Sequence, residues 1–280
     1  MKTLRIVSLA ILAVFASCSS DNEETVTVNE LEGLTKIQEM TNETHVVELY
    51  SASGVLQQGH NTISLRIKNK TTNEYEKNAT VSWAPLMHMT SMQHACPYSA
   101  VTKTSGKKTL YNGYIVFQMA QNDTEYWKLK VNYSINGTDY SVNEVISVPA
   151  SAKRRVTPFM GSDGTKYVLA LIEPTSPKVA INDIKMGVFK MENMMSFPIV
   201  NNYTVKIDPR MPSMGNHGSP NNVNLTQSAT DLLYNGKLSL TMTGYWKINL
   251  QLLNSANEVL KGEEITETTT ASSIYFEVEF

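Results

Sequence analysis

The sequence has little cysteine and little charge imbalance, and both shortages exclude classes of protein. Cys18 and Cys96 are its two cysteines. Cys18 ends an N-terminal apolar run at a position where we expect lipidation, so Cys96 has no partner left for an intrachain disulfide. The formal net charge is −2, and Lys and Arg form no basic cluster. This balance argues against a nucleic-acid partner.

Motifs of the common catalytic centres are also absent. The chain has no Gly-x-Ser-x-Gly elbow, no HExxH pair and no Gly-rich phosphate loop, and its acidic residues form no recognisable paired motif. No apolar run after the N-terminus is long enough to span a membrane. We therefore expect a protein that is not an enzyme.

The N-terminus has the pattern of a lipoprotein signal peptide. Lys2 and Arg5 precede the apolar run IVSLAILAVFA, and FASC ends it at Cys18. The pattern predicts a signal peptide over residues 1–17, lipidation of Cys18 and a tether over residues 18–35. The acidic SSDNEE that follows resembles the export tag of surface-exposed Bacteroidota lipoproteins. We therefore expect a lipid anchor in the outer membrane, and the tag raises the further possibility that the protein faces the cell surface. An ordinary secretory signal cut near Ala16 is the alternative.

The remaining chain contains an internal repeat. LYNGYIVFQM, with Tyr111, recurs as LYNGKLSLTM, with Tyr234, and the two tyrosines are 234 − 111 = 123 positions apart. YWKLKV and YWKINL follow the two segments, and HACP and HGSP precede them. The repeat predicts two copies of one domain, over residues 36–150 and 158–280, joined by a connector at about 150–157.

Each copy alternates apolar and polar residues with a period of two. Leu238, Leu240 and Met242 alternate before a tight turn, and Trp246 and Ile248 resume the alternation after it. The first copy shows the same pattern, and no helical period lasts more than a turn or two. We therefore predict an all-β chain of two tandem immunoglobulin-like antiparallel β-sandwiches.

The second copy resembles the YtkA/FixH-like family. DPRMPSMGNHGSPNNV followed by LYNGKLSLTMTGYWKINLQL, together about residues 205–252, is similar to that family's Met and His-Gly-Ser-Pro stretch and its Gly-x-Trp hairpin. In the first copy PLMHMTSMQHACP is a degenerate version. The resemblance implies an immunoglobulin-like fold, a non-enzymatic role and an association with copper or cation handling at the cell envelope.

Two loops rich in methionine are the candidate metal sites. Thioethers are soft ligands that suit Cu(I), and a cluster of methionines with one or two histidines is a copper-type ligand set, so copper is the cofactor that these loops predict, if they bind one. The candidate ligands of the second copy are Met211, Met214 and His217. Those of the first copy are Met87, Met89, Met92 and His94, with His88 beside them, Cys96 as a possible thiolate and Trp83 as a ring that could cover the ion.

The same residues have a structural interpretation. Methionine fills irregular gaps in cores, and we expect this for Met119 and Met242. Met186, Met191, Met194 and Met195 lie in or near an apolar strand and need no ligand role, while His45 and His60 are expected on a surface or strand face. Two functions therefore stay open: copper handling by the Met/His loops, or a metal-free tandem module that binds a protein or glycan or serves surface assembly.

Overall fold

The structure is a computed structural model that describes residues 29–280. The predicted signal peptide, Cys18 and most of the predicted tether lie outside the described residues. Within residues 29–280 the chain is almost entirely antiparallel β-structure, and Pro212–Met214 form a 3-10 turn. This described part contains no helical segment with the length and hydrophobicity of a membrane span.

Nine strands form the first sandwich. They are β1 (Thr35–Thr41), β2 (His45–Ser51), β3 (Gly59–Asn69), β4 (Ala79–His88), β5 (Gln93–His94), β6 (Thr102–Lys103), β7 (Tyr111–Phe117), β8 (Tyr126–Ile135) and β9 (Thr138–Ile146). One sheet has the order β1-β2-β3-β7-β6, and the facing sheet has the order β5-β4-β8-β9.

Ten strands form the second sandwich. They are β10 (Val156–Met160), β11 (Lys166–Glu173), β12 (Ala180–Lys190), β13 (Thr204–Met211), β14 (His217–Gly218), β15 (Val223–Gln227), β16 (Tyr234–Leu240), β17 (Tyr245–Leu253), β18 (Val259–Lys261) and β19 (Tyr275–Glu279). Here β15 pairs with both β16 and β13, so the two sheets are joined along one edge.

Both sandwiches have the immunoglobulin strand order. That order places strands A, B, E and D in one sheet and C, F and G in the other. In the first sandwich, strands A, B, E and D are β2-β3-β7-β6, and strands C, F and G are β4-β8-β9. In the second sandwich, strands A, B, E and D are β11-β12-β16-β15, and strands C and F are β13-β17. There β18 and β19 both pair with β17 and share the position of strand G. The predicted tandem immunoglobulin-like fold is confirmed.

Alternating side chains build two separate cores. The first core is drawn from residues 40–148 and contains Trp127, Leu129 and Val131 of β8. The second is drawn from residues 167–278 and contains Trp246 and Ile248 of β17. Because strand side chains point alternately to opposite faces, the period-two pattern in the sequence predicts these inward residues.

The repeated Leu-Tyr-Asn-Gly segment holds each sandwich together. The hydroxyl of Tyr111 accepts a hydrogen bond from the Ala79 N–H at 2.8 Å, tying β7 to the start of β4. The hydroxyl of Tyr234 accepts one from the Tyr203 N–H at 3.2 Å and donates one to the Val200 carbonyl at 2.8 Å. This part of the repeat therefore has a structural reason that is independent of any ligand.

The two sandwiches meet through the outer faces of their first sheets. Val116 of β7 packs with Val168 and Ala170 of β11, Phe189 of β12 and Val156 of β10 in a third, smaller apolar cluster. Val156 lies within the predicted connector but already begins β10. The two sandwiches are thus packed against each other, an arrangement that the sequence pattern does not indicate.

Candidate functional site at the methionine loops and the domain junction

The methionine loop of the second sandwich places its predicted ligands in different environments. Met211 ends β13 with 2% of its surface exposed and belongs to the core, whereas Met214 lies on the 3-10 turn with 57% exposed. His217 is opposite Met211 in the β13–β14 pairing, and its side chain is exposed. Gly215 closes the turn in the left-handed region, at a φ of 64°. One thioether is therefore part of the core and the other faces solvent.

The loop of the first sandwich divides its residues in a similar way. Met87 and Cys96 are fully buried in the first core, and Met89 packs against it. Burial raises the pKa of the Cys96 thiol well above its ordinary value, because the thiolate would lose its hydration. The Met89 N–H donates to the Met92 carbonyl at 3.0 Å, and this turn leaves Met92 44% exposed.

His94 is buried with one ring nitrogen occupied. Its Nδ1 lies 2.7 Å from the carbonyl oxygen of Ala95, and since a carbonyl can only accept, Nδ1 carries the proton. In the neutral tautomer that this contact selects, Nε2 carries no proton and can act as an acceptor or ligand. Proteins commonly orient metal-binding histidines with such an Nδ1–H to carbonyl bond.

Two further side chains define the surroundings of this imidazole. The ring of Trp127 meets it edge-on, with centroids 5.8 Å apart. Trp83, which the sequence suggested as a ring that could cover a bound ion, lies in the core. It donates its indole N–H to the Ser99 carbonyl at 2.9 Å. The Gln118 amide nitrogen lies 3.4 Å from His94 Nδ1, and Gln118 Oε1 is buried with no hydrogen-bond partner among the described residues. Turning the amide over would place that oxygen beside the imidazole N–H, and in both orientations Nε2 has no hydrogen-bond partner within residues 29–280.

A loop of the second sandwich docks beside His94. Residues 191–203 connect β12 to β13, and the Ala95 N–H donates to the Met194 carbonyl at 2.8 Å across the junction. The Met191 N–H donates to the Lys166 carbonyl at 2.8 Å, which fixes the other end of the turn to its own sandwich. Backbone bonds therefore position this loop independently of its methionine side chains.

A cleft of about 390 Å³ lies between His94 and this loop. Four thioether side chains line it together with His94, and they come from both sandwiches: Met92, Met160, Met191 and Met194. The lining is mainly apolar, and Lys166 adds one positive charge. Met160, Met191 and Met194 are absent from the sequence-predicted ligand sets. Met191 and Met194 lie on a loop rather than in a strand. The only sign of this in the sequence is the spacing of the methionines in MENMMSF, which departs from the period of two that a strand would show.

Within residues 29–280 no three His, Cys, Asp or Glu side chains are grouped closely enough to hold a metal ion. The two other histidines of interest lie on strands, His45 at the start of β2 and His60 in β3. His45 is buried between Tyr133 and Tyr140, and desolvation lowers its pKa. Its strand-face position was one of the two expected, and the two tyrosine rings of the facing sheet bury it there.

No protein-family model matches the chain, and no curated protein matches it. Among solved structures, an Escherichia coli adhesin, FdeC, has a TM-score of 0.24 and 10% identity, over 82% of this chain and 81% of its own. A titin fragment has a TM-score of 0.19 and 10% identity, over 70% of this chain and 85% of its own. At such low scores neither protein indicates what this chain binds.

Proposed function

We propose that the protein is a lipid-anchored, non-enzymatic binding protein of the cell envelope that holds Cu(I) at the methionine loop of its first sandwich. The observation that carries this proposal is His94, whose Nδ1 lies 2.7 Å from a backbone carbonyl oxygen and which lines one cleft together with four methionines. An imidazole together with thioethers is a ligand set that suits Cu(I). The likeness to the YtkA/FixH-like family, with its copper association, belongs to the same proposal.

The first sandwich is the better candidate of the two loops. Its His94 and Met92 line a cleft, whereas the second sandwich has Met211 in its core and Met214 in solvent. Cys96 is not part of the proposed site, because it is buried in the core with a protonated thiol. We assign the loop at 211–217 to the structural corner that the sequence left as its alternative.

Cu(I) binding is tested by competition with a chromophoric Cu(I) chelator under anaerobic, reducing conditions. The chain from residue 19 onward keeps every described strand, and we expect it to withdraw about one equivalent of Cu(I) from the chelator. Met214→Leu should behave like the parent chain, because Met214 is not among the residues that line the cleft. A parent chain that withdraws no Cu(I) would refute this function.

The anchor is tested separately in cells. Metabolic labelling with a palmitate analogue should mark the parent chain, and Cys18→Ala should lose both the label and the membrane association. Protease treatment of intact cells then reports whether the anchored chain faces outward. Retention of the lipid label by Cys18→Ala would contradict the lipoprotein proposal without bearing on Cu(I).

A metal-free binding module is the second candidate, and the apolar lining of the cleft favours it. Exposed methionine side chains adapt to apolar partner surfaces, and contiguous apolar patches often mark docking sites. In this case an apolar peptide or glycan-bearing partner, and not an ion, would cover the cleft. Absence of Cu(I) uptake together with unchanged folding would leave this candidate standing.

A further inference from the structure

Three of the four cleft methionines are exposed and Met191 is half-buried, an exposure that Met195 and Met214 share outside the cleft. Met92, Met160 and Met194 are 44%, 49% and 40% exposed, whereas the core methionines, such as Met40, Met87 and Met186, are fully buried. Burial of a methionine side chain stabilises a protein, so leaving three of them exposed around one cleft forgoes part of that stabilisation. A ligand that contacts the sulfurs would recover part of it.

These thioethers belong to two sandwiches that are held in fixed relation. Met92 lies on the first sandwich, and Met191 and Met194 lie on the loop that the Ala95–Met194 hydrogen bond docks against it at 2.8 Å. The turn of that loop is closed by its own bonds, from the Met195 N–H to Asn193 Oδ1 at 2.8 Å and from the Glu192 N–H to the Ser196 carbonyl at 3.0 Å. The backbone is thus organised before any ligand arrives.

We propose that the Cu(I) site is shared between the two sandwiches, with His94 Nε2 and Met92 from the first and Met191 and Met194 from the second. This inference rests on the proposed function and adds the residues that complete the site. A single His and a single thioether on the first sandwich supply two ligands, and the docked loop supplies two more. Binding would then stabilise the junction as well as the ion.

Lys166 bears on the chemistry of the ligand. Lys166 lines the same cleft, and a positive charge there opposes the binding of a cation, less so where solvent screens it. For bound Cu(I), Lys166→Gln should leave the affinity unchanged or raise it. A loss of affinity in Lys166→Gln would instead indicate an anionic ligand and count against a cation in this cleft.

The decisive experiment compares Cu(I) affinities of matched Met→Leu variants by chelator competition. Leucine keeps nearly the same volume, so the fold should be preserved, and thermal unfolding of the metal-free variants checks this. Met191→Leu and Met194→Leu should each weaken Cu(I) binding by about tenfold or more, since even groups that only orient a metal ligand are worth that much. Met195→Leu is the matched control, because Met195 is on the same loop but lines a different pocket.

The outcomes separate this inference from the proposed function. If the parent chain binds Cu(I) and Met92→Leu weakens it while Met191→Leu and Met194→Leu do not, the shared site is overturned and the function stands. If the parent chain binds no Cu(I), both fail. If Met195→Leu weakens binding as much as its neighbours, a general loop effect replaces the ligand assignment and the inference fails.

Methyl NMR gives a second measurement that does not depend on the variants folding equally well. In the chain from residue 19 onward, labelled with 13C-methyl methionine, Cu(I) or its surrogate Ag(I) should shift the methyl signals of Met92, Met191 and Met194. Those of Met195 and Met214 should stay in place. Shifts confined to Met92 would restrict the site to the first sandwich.

Discussion

The indole N–H of Trp127 donates a hydrogen bond to the carbonyl oxygen of Met119 at 3.0 Å. In the second sandwich Trp246 makes the same bond to Met242 at 3.0 Å. The first bond closes the turn between β7 and β8, and the second closes the turn between β16 and β17. Both tryptophan side chains are completely buried. The repeated methionine and tryptophan therefore mark a structural turn, and in the first sandwich that tryptophan also meets the edge of His94.

Removing a tyrosine hydroxyl should destabilise the corresponding sandwich. Tyr234→Phe leaves the Tyr203 N–H without its partner and removes one of the two hydrogen bonds that the Val200 carbonyl accepts, so we expect a loss of about 1–3 kcal/mol in the free energy of unfolding. Tyr111→Phe removes one bond and should cost less. Urea unfolding followed by circular dichroism measures both, and Tyr98→Phe, at an exposed site, is the control. Equal midpoints for Tyr234→Phe and the control would contradict the structural role.

A side chain at Gly236 should disturb the second sandwich. A Cβ there would lie 2.4 Å from the Val223 carbonyl oxygen, and that strand backbone cannot move away without breaking the sheet. We expect Gly236→Ala to cost about 1–3 kcal/mol, as over-packing does in well-packed cores. Asn235→Ala, at the neighbouring exposed position, should change the unfolding midpoint little. A Gly236→Ala chain as stable as its control would show that β15 can shift.

The Cys96 thiol should be unreactive in the folded protein. It is buried in the first core, and its pKa is raised by desolvation, so little thiolate forms at pH 8. In the chain from residue 19 onward, a thiol reagent should therefore label no cysteine until urea unfolds the protein, when one thiol should react. Rapid labelling under native conditions would place Cys96 at an accessible surface.

The junction should weaken in acid through His60. Desolvation, followed by the Arg155 charge, lowers the pKa of His60 to about 4, and its ring lies against Tyr114 with centroids 5.1 Å apart. Because the unfolded imidazole titrates near pH 6.5, it binds protons more readily than the folded one, and stability rises with pH in this window. The contribution is fully present above pH 6.5 and is lost as the pH falls towards 4.

Substitution of His60 tests this pH dependence. His60→Gln should flatten the fall in unfolding free energy between pH 6.5 and 4 by about 1–3 kcal/mol. A residual slope is expected from His45, whose pKa is also lowered by burial. Chemical unfolding at a series of pH values gives the comparison, and parallel curves for the parent and His60→Gln would rule out His60 as a source.

Much of the fold follows from local pattern. The alternation of Trp246 with Ile248 and Leu250 predicts the inward face of β17, and all three are buried. The Tyr111 and Tyr234 segments begin equivalent strands in sheets of the same order. The candidate site was only partly accessible to such reasoning, because His94 and Met92 belong to the repeat while Met191 and Met194 occur in one copy only.

The sequence alone determined that this chain is all-β, repeated and immunoglobulin-like, because a period of two and a recurring motif are local properties of the chain. Only the tertiary structure decided which methionines fill the cores and which line a cleft. Met87 and Met92 are five positions apart, yet one is buried and the other faces the junction. Burial depends on which surfaces meet in space, and the docking of residues 191–199 beside His94 is a long-range contact that no local pattern encodes.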